Sequence, residues 1–161
     1  MVAFFSLFTG LVFLYFYFLQ PVTTTEIILS SIIGTLMMIN LWGIIWKNQK
    51  IIIGQKDVDV AEAVRKARLA SRTNTLFSIP MLYFMISSIH SPLKSYFLGA
   101  PATGIDPGYL GIDFLIICLV IFLIELNAIF GKMHLFISTA GGVFISSFVL
   151  TIVFSGLSLY T

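Results

Sequence analysis

Uninterrupted apolar runs close to twenty residues long constrain this chain more than any other feature. From Ile112 to Phe130 only Asp113 and Glu125 are charged, and from Leu135 to Leu159 nothing is. A helix needs roughly 20 apolar residues to cross about 30 Å of hydrocarbon. In lipid an unpaired backbone amide or carbonyl is so costly that a span must be a helix or a closed barrel. The runs are continuous and do not alternate with period two, so helices are expected rather than a barrel. Composition agrees, with 58% hydrophobic residues, 10% charged residues and a mean hydropathy of +1.03. A soluble domain carries roughly 25% charged residues, so this chain has too little polar surface to coat a water-facing globule. The expected fold class is an all-α integral membrane protein, a bundle of about five transmembrane helices.

The spans are expected at about 3–19, 26–46, 73–90, 112–130 and 135–159, forming one transmembrane domain over residues 1–161. The N-terminus lacks a basic start and a small-residue cleavage site, so it reads as a retained first helix. That helix ends in the aromatic cluster Tyr15-Phe16-Tyr17-Phe18, which favours the headgroup region. The polar loop 47–72 holds seven of the nine basic residues: Lys47, Lys50, Lys56, Arg65, Lys66, Arg68 and Arg72. By the positive-inside rule this loop is cytoplasmic, which also places the N-terminus inside and the C-terminus outside. The turn holding Lys132 then falls inside, and the loop from Ser91 to Gly111, with Lys94 alone, falls outside. The middle of the basic loop, 57–71, is expected to be helical. Asp59 and Glu62 have capping spacing there, and Glu62 and Lys66 form a favourable i,i+4 pair. Pro80 removes one backbone hydrogen bond from the third span and should kink it. The outer loop is expected to carry a short interfacial turn around Leu93 to Leu98.

An ionisable residue inside a span is a functional candidate, because a charge in lipid is costly. Glu125 lies seven residues before Lys132, and Asn40 seven before Lys47. Asn127 follows Glu125, and Arg72 and Asn74 open the third span from the same side. These five residues share a depth and are expected to form one polar cluster in which Arg72 pairs with Glu125. The cluster reads either as a proton relay or cofactor contact, or as interhelical bonding worth about 1 kcal/mol per contact. Ser138, Gly142 and Ser146 recur every four residues, and Ser30 and Gly34 repeat the spacing. Such stripes let helix backbones approach closely, within the chain or against another subunit.

His90 and His134 fall at opposite ends of this topology and cannot share one metal. Cys118 is the single cysteine, which excludes an intramolecular disulfide and a haem-attachment CxxCH. No P-loop, dinucleotide glycine fingerprint, zinc motif or catalytic triad is legible. The chain alone is therefore expected to carry no catalytic, cofactor or metal site. Its net charge of +2 resides in one juxtamembrane loop and points to no nucleic acid.

Three stretches resemble the membrane domain of the bacterial urate hydroxylase family, the urate oxidase N-terminal domain. They are Asn40-Leu41-Trp42 through Ile45-Trp46 to Asn48-Gln49-Lys50, then Ala70 to Met81 with Phe84-Met85, then Glu125-Leu126-Asn127-Ala128 with Gly131-Lys132. Together they run from about Gly34 to Lys132, and the chain is similar to the second half of such a domain. The resemblance implies a helical membrane fold and a polar motif around the basic loop. The expected function is a non-catalytic integral membrane subunit that stabilises a larger prokaryotic oxidoreductase complex in the inner membrane. Its expected partners are other integral membrane subunits and the lipid bilayer. An accessory subunit of a copper membrane monooxygenase, such as ammonia monooxygenase, falls within that class. The alternatives are half of a split urate-hydroxylase-like haem oxidoreductase and a small proton-coupled transporter using Glu125.

Overall fold

A computed structural model describes residues 2–19, 24–54, 59–90, 112–132 and 134–160. Within them every regular element is a helix: α1 (Val2–Phe18), α2 (Thr25–Ile52), α3 (Val60–His90), α4 (Ile112–Phe130), α5 (Leu135–Ser138) and α6 (Ala140–Tyr160). Three stretches are long and apolar enough to cross a membrane: Thr25–Ile52, Ile112–Phe130 and Ala140–Ser158. The interfacial turn expected near Leu93 to Leu98 lies outside the described residues, as do the rest of Ser91–Gly111 and residues 20–23.

The polar stretch 47–72 is mostly helix, where a loop with a helical middle is expected. α2 continues through Lys47 and Lys50 to Ile52. Gly54 then turns the chain at φ +79°, a conformation open to glycine without a Cβ clash. From Val60 the helix runs through to His90, because Ala61 to Ala70 is built of strong helix formers with no breaker. Asp59 caps its start, with Oδ1 accepting from the Ala61 and Glu62 amides at 3.0 and 3.4 Å. Pro80 sits inside this helix without ending it.

α2 and α3 pack antiparallel. A Cβ at Gly34 would lie 3.4 Å from Met81 Sδ, so Gly34, with buried Ser30 one turn earlier, brings the α2 backbone against α3. That small-residue pair is thus used within the chain. α6 runs parallel to α3, bonded to it at Leu76 by Ser147 and at Tyr83 by Ser155. α4 closes the bundle. Ile117 and Ile121 join Leu29, Ile33, Phe77, Phe84 and Phe154 in one core. The rings of Phe84 and Phe154 stack there at 6.1 Å between centroids.

The fifth apolar run is not one helix. Thr139 is extended (φ −103°, ψ 155°), and its Oγ1 accepts from the Gly142 amide at 3.1 Å, capping α6. Ser138 therefore precedes the break, and Ser138, Gly142 and Ser146 do not form one helical row. The buried row on α6 is Val143, Ser147, Thr151, Phe154 and Ser158, one residue along from the expected stripe.

Three helices turn apolar faces outward. Phe144, Ile145, Phe148, Val149, Ile152 and Val153 of α6 are exposed, and α4 and α1 turn similar faces outward. Large exposed apolar faces around a buried amide, buried hydroxyls and two buried carboxyls, Asp113 and Glu125, invert the pattern of a soluble domain.

Candidate functional site

Three helices each contribute one side chain to a polar group in the bundle. On α4 the buried row is Asp113, Ile117, Ile121, Glu125 and Ala128, so the spacing that builds the core also turns Glu125 inward. On α2 the helix widens into a π turn over Asn40–Ile45, with the Trp46 amide bonded to Leu41 O. Asn40 and Ile45, five residues apart, are both buried, as the longer repeat of such a turn allows. Asn40 Nδ2 donates to Asn74 Oδ1 and to Glu125 Oε2, each at 3.1 Å. Asn74 Nδ2 donates onward to Met37 O at 2.9 Å.

Arg72 is not part of this group. The ion pairs among the described residues are Glu62 with Arg65 and with Lys66, and Glu125 meets Asn40 instead. The reason is angular: two helical positions separate Arg72 from Asn74 by about 200°, so one cannot face α2 while the other does. The same geometry separates Asn127 from Glu125. Asn127 Oδ1 contacts His134 Nε2 at 3.2 Å, and the Gly131 amide donates to Asn127 O at 2.9 Å. A Cβ at Gly131 would collide with Asn127, so glycine is what lets the chain turn so close to α4. Arg65 Nη1 reaches Gly131 O at 3.1 Å, joining the start of α3 to that turn. His90 ends α3 at the opposite end of the bundle.

Glu62 lies on the first turn of α3 with Arg65 Nε at 2.7 Å and Lys66 Nζ at 3.4 Å. The hydrogen bond from Arg65 is the main cause that lowers its carboxyl from an ordinary 4.5 to about 2. The pair lies at the surface and adds little to stability.

A second polar contact was not anticipated. Proline has no amide hydrogen, so Pro80 leaves Leu76 O without its i+4 donor. Ser147 Oγ on α6 donates to that carbonyl at 2.7 Å, and both groups are buried. The sequence holds a signal for it, since Ser147, Thr151 and Ser155 recur every four residues. Tyr83 Oη and Ser155 Oγ meet at 2.7 Å from that row. Other hydroxyls fold back on carbonyls one turn earlier, Thr73 to Leu69 and Thr151 to Ser147 among them, which keeps these buried groups paired. Buried Asp113 and Thr25, at the starts of α4 and α2, were also not singled out in the sequence.

Cys118 is half-buried on α4 against the core. Among the described residues no three or more His, Cys, Asp or Glu side chains gather as a metal site. The Asn40–Asn74–Glu125 group can bond helices and hold a hydrogen. No family model, no curated protein and no solved structure matches the chain.

Proposed function

We propose that the chain is a multi-pass, non-catalytic subunit that stabilises a larger oxidoreductase complex in a prokaryotic inner membrane. The observation that carries this reading is the distribution of polarity. Asn40, Asn74, Glu125, Ser147, Tyr83 and Ser155 turn their polar atoms to neighbouring helices. The apolar faces of α1, α4 and α6 are left outward for lipid and other transmembrane helices. α1 is the most open of them: Phe4, Phe5, Phe8, Phe13 and Phe16 are exposed, and Phe4 meets Trp42 with ring centroids 6.4 Å apart. A helix so lightly covered is suited to packing against a partner.

In this reading α1, α2, the apolar part of α3 (73–90), α4 and α6 are five spans, with the N-terminus inside and the C-terminus outside. The contact of Arg65 with Gly131 supports it, because it gathers the basic start of α3 and the Lys132 turn at one end. The oxidoreductase assignment rests on the resemblance of residues 34–132 to the urate hydroxylase membrane domain. It includes accessory subunits of copper membrane monooxygenases such as ammonia monooxygenase.

The test is mild-detergent extraction from native membranes, followed by native electrophoresis and mass spectrometry. Co-migration at fixed stoichiometry with subunits of one membrane oxidoreductase is the expected result. Migration as a lone chain under conditions that keep other membrane complexes whole would remove the proposal.

A further inference from the structure

Among the described residues three buried side-chain oxygens lack a hydrogen-bond partner: Thr25 Oγ1 at the start of α2, and two that share one polar group, Asn40 Oδ1 and Glu125 Oε1. Their side chains are already joined through their other atoms, Asn40 Nδ2 donating to Glu125 Oε2 at 3.1 Å. Asn40 is 0% exposed and Glu125 5%. Orphaned acceptors this deep need an explanation, because almost all buried polar groups are paired.

We infer that Glu125 is a proton-holding site: its carboxyl is the neutral acid, with Oε1–H donating to Asn40 Oδ1 while Asn40 Nδ2 donates back to Oε2. One hydrogen then satisfies both orphans. It fits the local inventory, because the two amide hydrogens of Asn40 are already engaged, one with Asn74 and one with Glu125.

Other occupants fit less well. Asn74 Oδ1 and Met37 O already accept hydrogen bonds, so the group offers two free oxygens. A hard cation such as calcium takes six or more. A water could donate to both oxygens, but it would leave a carboxylate with no counter-charge. On α2 the nearest cation in sequence, Lys47, is exposed and seven residues beyond Asn40. On α3 Arg72 makes no ion pair with Glu125, and α6 has no charged residue at all. On α4 the other charge is Asp113, twelve residues away and negative. An unpaired buried charge is strongly disfavoured, and a neutral acid avoids it. The site thus binds a proton, held by an acid on one helix and an amide on another.

The chain has three glutamates, Glu26, Glu62 and Glu125, so isotope labelling can isolate one of them. The full chain would be reconstituted in neutral lipid vesicles at pH 7 with 13C-glutamate, in a Glu26→Gln, Glu62→Gln background. Infrared spectroscopy should then show an isotope-shifted carboxylic acid carbonyl band that moves further in heavy water. A Glu125→Gln chain should lose that band and still melt within about 3 °C of its parent. The amide can reproduce both hydrogen bonds without a proton. A labelled carboxylate band with no acid band would overturn the inference, whatever balances the charge. An acid band that survives Glu125→Gln would overturn it too. The measurement needs no partner subunit, so its outcome is independent of the complex proposed above.

Discussion

Pro80 and Ser147 illustrate how far apart two residues can be in sequence and still answer one another. Pro80 strips a donor from Leu76 O, and Ser147 supplies one from the neighbouring helix. Ser147→Ala should therefore cost about 1 kcal/mol, the scale of interhelical hydrogen bonds in membranes. In a Pro80→Ala chain, whose residue 80 regains its amide hydrogen, that cost should vanish. A double-mutant cycle on detergent unfolding reads this directly, and additive effects would contradict it. Asn40→Leu removes the donor to both Asn74 and Glu125, and a loss of about 1–3 kcal/mol is expected in the same assay. The meeting of Asn40, Asn74 and Glu125 was legible, because distance from the basic end is simple arithmetic along a helix. Rotation about each axis was not. Arg72 and Asn127 have the right depth but the wrong angle, and the π turn at Asn40–Ile45 changes angle in a way no spacing rule carries.

At the scale of elements, the positions of the apolar runs were legible and their ends were not. Apolar residues mark which stretches suit lipid, but a helix made of Ala, Glu, Arg and Lys needs no lipid to continue. So α3 begins at Val60 and α2 extends to Ile52. Thr139 breaks an apolar stretch because its own side chain caps α6, a local bond that hydropathy does not register. Gly131→Ala should destabilise the turn between α4 and α5 by about 1–3 kcal/mol, the usual cost of overpacking. Thermal unfolding would check this, and an unchanged melting point would show that Asn127 gives way freely. The first turns of α3 should respond to acid. Glu62 is held at about 2 in the folded chain against an ordinary 4.5. Its lowered value means that its small contribution is fully present above about 4.5 and is lost as pH falls through about 2. Hydrogen exchange of the amides from Val60 to Val64 should quicken over that window, and Glu62→Gln should remove the change.

For the molecule as a whole, the decisive prediction is orientation. Single cysteines in a Cys118→Ser chain, placed at Lys50 and Lys132, should resist an impermeant thiol reagent added outside intact cells. A cysteine at His90 should react. Labelling at Lys132 but not at His90 would invert the topology. The all-helical class was legible from the long continuous apolar runs, three of which the structure shows as helices long and apolar enough to cross a membrane. The sharing of contacts among helices was not, because an apolar face reads the same whether a helix, a subunit or lipid covers it. The Leu76 carbonyl adds a matter of timing. α3 is synthesised before α6, so through that interval the carbonyl lacks the Ser147 donor that it has in the folded chain. The arrival of Ser147 seals it. A chain stopped short of that serine would keep one buried acceptor unanswered, so the last helix completes a bond that the third leaves open.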